Sequence, residues 1–351
     1  MTDQHNIFNL LNRKIQSLKT SHLYRKPDIS DNYKSVYIKR GNKKYICFCS
    51  NDYLGLNNNK QVKTAAIKAI KKYGFGAGAS RYITGNNHLY QILEQKLSKL
   101  KNSDDSIVFG SGYLTAIGVI PALMGNKDLI IADKLIHSCL IDGAKLSGTK
   151  FLRFKHNDLE HCQKLLDKNR DKYQKCLIIT ETVFSMDGDL GEINQLLNLA
   201  VKYNCLLLSD DAHGIGIINQ KQLYKQLNES KNKDKKNIYL QIGTLSKAVG
   251  GYGGYICANQ LVIDYLRNFA RTAIYSTALP PAIIAGNLQA LKIIEKDQKL
   301  KEKALENAAY FCHAMNPPPP QSTIVIIIVT QAEKALQIVT KRTSRLTVGE
   351  F

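Results

Sequence analysis

The sequence is short of the features that announce several large classes of protein. No apolar run approaches the ~20 residues that a bilayer-spanning helix requires; the densest, Ile324 to Val329, is far too short. A membrane partner is therefore not expected. The opening residues, Met1-Thr2-Asp3-Gln4-His5-Asn6, lack the basic-then-apolar layout of a signal peptide. They point to a cytoplasmic location in which the eight cysteines stay reduced. Those cysteines also lack metal-ligand spacing. Cys47 and Cys49 flank a single residue, and Cys139, Cys162, Cys176, Cys205, Cys257 and Cys312 are scattered, so no metal site is expected. No internal repeat is present.

Acidic residues are scarce too. With 49 Lys+Arg against 29 Asp+Glu the formal charge is +20, a balance that in other chains marks nucleic-acid binding. Here the lysines are dispersed and no basic stripe is interleaved with stacking aromatics, so nucleic acid is not an expected partner. The densest run, Ser230 to Lys236, reads as a solvated loop. A diffuse positive field can instead steer an acidic acyl carrier or thioester toward a site.

What is present fits a folded enzyme of more than one domain, since 351 residues exceed the usual single-domain range. Residues 1–45 read as an N-terminal arm: Ile7, Leu10, Leu11, Ile15 and Leu18 recur at helical spacing, and Val36-Tyr37-Ile38 and Tyr45 to Phe48 are β-like. Strand-like runs at Ser106 to Phe109, Leu129 to Ala132 and Leu177 to Thr180 then alternate with helix-like segments at Tyr90 to Lys101 and Asn194 to Tyr203. That rhythm predicts an α/β domain over 46–284 with a mostly parallel sheet. A long helical pattern from Ala285 to His313 is expected to bridge into a smaller C-terminal domain, 285–351, and Pro317 to Pro320 break it.

Two segments carry chemistry. Ile238 to Ile242 reads as a buried strand leading into Gly243-Thr244-Leu245-Ser246-Lys247 and the glycine-rich Gly250 to Gly254. It would deliver Lys247 to the end of a sheet beside hydroxyls able to bind an anion, a setting suited to covalent attachment of pyridoxal phosphate. Leu206 to Gly214 reads as a strand whose carboxyl end presents Asp210, Asp211 and His213, where open α/β sheets place ligands. Asp210 could keep a pyridine nitrogen protonated and His213 could reach a ring hydroxyl; equally, an aspartate here could cap the next helix and His213 could be a turn residue. Phe109-Gly110-Ser111-Gly112-Tyr113 joins a strand to a helix, and serves either a phosphate or a tight turn.

Taken together with Ser50-Asn51-Asp52-Tyr53-Leu54-Gly55-Leu56, Gly76 to Arg81, Thr84-Gly85-Asn86 and Glu181 to Asp189, these motifs resemble, in order and spacing, the α-oxoamine synthases. The resemblance runs from about Ser50 to about Pro281. It implies the pyridoxal-phosphate-dependent transferase fold type I, with a large mostly parallel α/β domain and a smaller, here incomplete, C-terminal α+β domain. It implies that Ser111, Gly112, Tyr113 and Thr244 hold the cofactor phosphate, that His137 stacks on the ring, that Ser185, His213 and Glu181 lie near the ring hydroxyl and substrate, and that Lys247, Asp210, His213 and His137 are catalytic. Asn51 resembles a substrate-end residue. Ser276-Thr277 resembles the segment that reaches a neighbouring subunit's phosphate, which implies a homodimer with shared sites; it also reads as a helix N-cap before Pro280 and Pro281. Thr84 to His88 and Asp189 look most like the family member that condenses L-alanine with a pimeloyl thioester in biotin synthesis, with carrier protein or coenzyme A left open as acyl donor. Another family member using glycine or serine, and a cofactor-binding dimer without turnover, remain alternatives.

The resemblance fails near the C-terminus, where the family's Arg-Pro-Pro motif, whose arginine pairs with the amino-acid carboxylate, is missing. Gln321 to Val329 resembles a strand of the small domain and Gln331 to Val339 reads as a helix, after which truncation or a shifted reading frame is the expected cause of the departure. Arg25, Arg342 and Arg345 are candidates to serve the carboxylate in its place.

Overall fold

A computed structural model of the chain describes residues 6–32, 36–229, 233–315, 318–329, 334 and 346–347. By contacts it forms two compact units, 51–326 and the pair of segments 1–50 and 327–351. In the smaller unit the expected helix spans Ile7–Thr20, started by Asn6, whose side-chain oxygen accepts the Phe8 N–H at 3.0 Å. The β-like runs form strands β2 (Tyr37–Arg40) and β3 (Lys43–Cys47), and a short β1 (Asp31–Asn32) not expected from sequence precedes them; the three pair antiparallel in the order β1, β2, β3, with Leu346–Thr347 parallel to β3.

The larger unit is built on seven strands: β4 (Asp105–Phe109), β5 (Leu129–Asp133), β6 (Lys150–Phe154), β7 (Cys176–Glu181), β8 (Leu206–Asp210), β9 (Tyr239–Thr244) and β10 (Gly254–Ala258). Their order across the sheet is β4-β10-β9-β8-β7-β5-β6, and β10 is antiparallel to both its neighbours while β5 to β9 pair parallel. The mostly parallel sheet expected from sequence is thus present. Its strands read as unbroken apolar runs because both faces are covered. Side chains alternate between the faces, so neighbouring residues enter different cores. Ile130, Ala132, Leu177, Ile179 and Leu208 pack on one side with the helices Gly112–Leu123 and Ser138–Leu146. Leu129, Ile131, Cys176, Ile178 and Leu207 pack on the other with Leu159–Asn169 and Ile193–Lys202.

The long helical pattern after 281 is two helices, Pro281–Lys296 and Gln298–Met315, interrupted at Asp297. They belong to the larger unit, the first packing on Lys60–Tyr73, where Gly286 leaves room for Val62. Two local expectations are corrected. Ser276 and Thr277 do not cap the helix at 281; Pro280 stands at the cap with Pro281 in the first turn, which needs no N–H there. Gln321 to Val329 is not a strand. Among the described residues no strand pairs with it, and it is held at one end by Ser322 Oγ donating to Gly188 O at 2.7 Å, while Ile328 is exposed. The helix expected over Gln331 to Val339, and Arg342 and Arg345, lie outside the described residues apart from Lys334.

Behind β8 and β9, Lys101 and Asp211 form an ion pair with both side chains removed from water. Gln241 Nε2 donates to Lys101 O at 2.9 Å, and the Tyr255 hydroxyl approaches Asp211 at 3.5 Å. Removing one member of such a pair strands the other charge, so Lys101→Met is expected to cost about 3–5 kcal/mol of stability. Urea unfolding checks this, and adding Asp211→Asn to Lys101→Met is expected to recover much of the loss.

Candidate active site

Five strands of the sheet bring residues to one cavity of about 240 Å³, lying wholly within the larger unit. β4 leads through Ser111 into the helix Gly112–Leu123; β5 leads to His137; β7 ends on Glu181, β8 on Asp210 and β9 on Thr244, with Ser246 and Lys247 just beyond. All but β4's contribution come from the carboxyl ends of adjacent parallel strands, where an open α/β sheet leaves its crevice.

Ser111 is the N-cap of its helix and accepts the Leu114 N–H at 3.1 Å. The first-turn N–H groups of Gly112 and Tyr113 have no intrahelical carbonyl to bond, which makes this end an anion site. Gly112 sits tightly against the lysine strand: a Cβ there would lie 3.2 Å from Thr244 Cβ. Thr244 Oγ1 donates to Gly253 O at 2.9 Å, and Ser246 Oγ lies 2.8 Å away as its donor. The turn after Lys247 needs glycine at 250 for two reasons. Its φ is +74°, and a Cβ would strike the backbone of Leu56 and Asn57.

Electrostatics at the strand ends are dominated by desolvation. Glu181 and Asp210 are register partners on β7 and β8, both buried. Burial pushes both carboxyls above their ordinary range; the Asp210 charge adds to the rise of Glu181, which reaches about 8, and the Asp211 charge adds to that of Asp210. Asp210 accepts the Ala212 N–H at 2.9 Å, and Glu181 accepts the backbone N–H of His137. Burial lowers the Lys247 ammonium from its ordinary value, with Asp210 and Glu181 pulling the other way. His213 is driven down to about 3 by burial and by the positive charges of Lys247 and His137, so it is neutral near pH 7. Its Nε2 is 2.7 Å from Lys247 Nζ and its Nδ1 is 2.6 Å from Tyr53 Oη.

The cavity therefore gathers Ser111, Gly112, Tyr113, His137, Glu181, Asp210, His213, Thr244 and Lys247. His137 also caps the helix Ser138–Leu146, Nδ1 accepting the Cys139 N–H at 3.2 Å, so the structural role and a place on the cavity wall coexist. Asp210 caps no helix; its bond to Ala212 closes a turn. Asn51, Ser185 and Thr277 are not on the wall. Ser185 supports Glu181 through its backbone, Asn51 accepts from Tyr53 at 3.2 Å, and exposed Thr277 bridges to Ser80. Arg25 is exposed in the smaller unit. Sequence reasoning missed Cys139, Ser246, Tyr252 and Gly253 as wall residues, and Tyr53 as the partner of His213. Ser246 and Tyr53 both lay within quoted motifs; nothing in sequence marks Lys101.

A family model described as aminotransferase class I and II matches residues 43–347, and the chain belongs to that family, in its α-oxoamine synthase branch. Pyridoxal phosphate is accordingly its cofactor. It is 46% identical over 276 residues to the 8-amino-7-oxononanoate synthase of Beijerinckia indica, covering 79% of this chain and 70% of that one. With the synthase of the same name from Methylocella silvestris the identity is 46% over 280 residues, covering 80% and 79%. Among solved structures, an 8-amino-7-oxononanoate synthase from Francisella tularensis superposes with a TM-score of 0.68 at 29% identity, covering 86% of this chain and 87% of that one. A serine palmitoyltransferase from S. paucimobilis with bound pyridoxal phosphate–myriocin aldimine shares the fold, with a TM-score of 0.87 at 24% identity over 99% of this chain and 92% of its own. No helix among the described residues is long and apolar enough to cross a membrane.

In the cofactor-free protein the folded state keeps a proton on Glu181 up to about pH 8, whereas the unfolded chain releases it near the ordinary value of 4.5. The folded state thus binds the extra proton across that window, and this group makes stability fall as pH rises through it. Urea unfolding of the cofactor-free protein at several pH values is expected to show a shallower fall for Glu181→Gln than for the wild type. Equal slopes would contradict the shift.

Proposed function

We propose that this chain condenses L-alanine with a pimeloyl thioester, giving 8-amino-7-oxononanoate, carbon dioxide and the free thiol in biotin biosynthesis, and that it works as a homodimer. The observation that carries this reading is Lys247 Nζ, 2.7 Å from a neutral histidine and close to two buried carboxylates, in a chain 46% identical to synthases of that name.

The donor set suits pyridoxal phosphate. Bare first-turn N–H groups at Gly112 and Tyr113, with Ser111, Thr244 and Ser246 beside them, suit a phosphate; buried Asp210 suits a protonated ring nitrogen; the His137 ring suits the ring face. Lys247 would be the point of attachment, and His213, Ser185 and Glu181 would lie toward the ring hydroxyl and the substrate. When bound, the cofactor supplies an electron sink that weakens the bonds at the alanine Cα. Burial lowers the Lys247 ammonium from its ordinary value, which eases loss of its proton, and Nζ takes the Cα proton. A new carbon–carbon bond then forms from Cα to the acyl carbon as the thioester C–S bond breaks, and the departing thiolate takes a proton from solvent. The alanine carboxylate leaves as carbon dioxide, and Lys247 returns a proton to Cα. Throughout, the charge on Asp210 favours a protonated ring nitrogen. Asn51 is the proposed contact of the amino acid.

The +20 charge supports an acidic acyl donor, a carrier protein or a coenzyme A thioester. A homodimer is supported by the exposed apolar residues Phe75, Ile83 and Tyr275, on segments joined by the Ser80–Thr277 bridge, from which Thr277 would reach the neighbouring site.

Titrating the cofactor-loaded protein with alanine, glycine and serine is expected to shift its visible absorbance with alanine first, and pimeloyl-carrier protein or pimeloyl-coenzyme A is then expected to yield the amino-ketone. A response to glycine or serine instead would redirect the substrate assignment. Borohydride reduction and peptide mapping are expected to label Lys247, and Lys247→Ala to abolish turnover. Asp210→Asn is expected to lower turnover by at least tenfold with a much smaller loss of cofactor occupancy, since a charge-assisted hydrogen bond contributes about 1.5–3 kcal/mol.

A further inference from the structure

His213 is gripped at both ring nitrogens, and the two grips are not equivalent. Nε2 faces Lys247 Nζ at 2.7 Å and Nδ1 faces Tyr53 Oη at 2.6 Å. The imidazole is neutral, so it carries one proton and one lone pair, and which nitrogen holds which decides what the ring can offer Lys247. The answer is contained in the next link. Tyr53 donates its single phenolic proton to Asn51 Oδ1 at 3.2 Å. With that proton committed, the phenolic oxygen can only accept from His213. Nδ1 must then be the protonated nitrogen, leaving the Nε2 lone pair to accept from Lys247. The two rings are tilted by 43° with centroids 6.0 Å apart, so they meet through these polar atoms and not by stacking.

The phenol is held in place by its own turn. Asp52 Oδ1 accepts the Leu56 N–H at 3.0 Å and the Asn57 N–H at 3.4 Å, and the Tyr53 N–H donates to Asn51 O at 2.9 Å. That turn sits directly against Gly250, in the loop that carries Lys247, where any Cβ would strike the Leu56–Asn57 backbone. The segment bearing Tyr53 and the loop bearing Lys247 are therefore packed as one body around His213.

We propose that Tyr53 is a positioning residue that sets the tautomer of His213, keeping the ring proton on Nδ1 so that Nε2 accepts from Lys247. Its importance for proton transfer by Lys247 rests on the function proposed above, but its test uses cofactor-free protein and no substrate, so the two fail separately. With ¹⁵N-labelled histidine, the His213 signals can be assigned by their loss in His213→Asn. In the wild type, Nδ1 is expected at the shift of a protonated nitrogen and Nε2 at that of an unprotonated one. In Tyr53→Phe, Nδ1 loses its acceptor, and the two shifts are expected to move toward each other as both tautomers become populated, with unchanged far-ultraviolet circular dichroism. Asn51→Asp keeps an acceptor for the phenolic proton and is expected to retain the wild-type pattern. A protonated Nε2 in the wild type, wild-type shifts in Tyr53→Phe, or mixed tautomers in Asn51→Asp would each overturn the proposal. The wild-type measurement stands by itself should Tyr53→Phe fail to fold.

Discussion

Lys247, Asp210, Glu181 and His213 share a place from which water is largely excluded, and the cost of charging them there governs the chemistry of the whole site. In water the lysine would be an ammonium and both carboxyls would be ionised. At the ends of β7 and β8, burial pushes the carboxyls toward neutrality and the amine toward its free base, so a proton can pass between groups whose affinities have been drawn together. Backbone N–H groups just beyond the strands, from His137 to Glu181 and from Ala212 to Asp210, partly offset that push by favouring the ionised carboxyls.

The same strand end separates two jobs given to adjacent carboxylates. Asp210 faces the cavity, and Asp211 turns to buried Lys101 behind β8 and β9. One is available to a ligand and the other is satisfied within the protein. That division follows from the alternation of side chains along an extended backbone, and it means that sequence adjacency here carries no implication of shared chemistry.

Much of the fold could be read from local pattern. The apolar runs at Leu129, Leu177, Leu206 and Tyr239 became buried strands because a parallel sheet with both faces covered demands them, and the phase of the 193–202 and 88–100 helices was visible in their spacing. What was not legible depends on partners distant in sequence. The apolar stretch at 321–329 has strand-like composition but finds no pairing strand among the described residues, and the break at Asp297 has no proline or glycine to mark it. The motifs around Lys247 and Asp210 announced a cavity wall, and the cavity does collect them. Tyr53 and His213, however, are 160 positions apart, and Lys101 and Asp211 are 110 apart, separations over which no residue spacing encodes a contact. His137 shows the opposite case, a lone histidine that reads as structural, and is a helix cap, while its ring also lines the cavity.

The place of β10 in the sheet bears on the order in which the protein can assemble. β4 is an edge strand whose sheet neighbour is β10, about 145 residues later in the chain by their pairing of Phe109 with Gly254. β5 to β9 can pair among themselves as they emerge, yet β4, and with it the Ser111 to Tyr113 corner, docks only once residues 254–258 have been made. During synthesis the anion-binding corner and the lysine loop are therefore the last parts of the sheet to meet, so a competent cavity reports that the seven-stranded sheet has been completed.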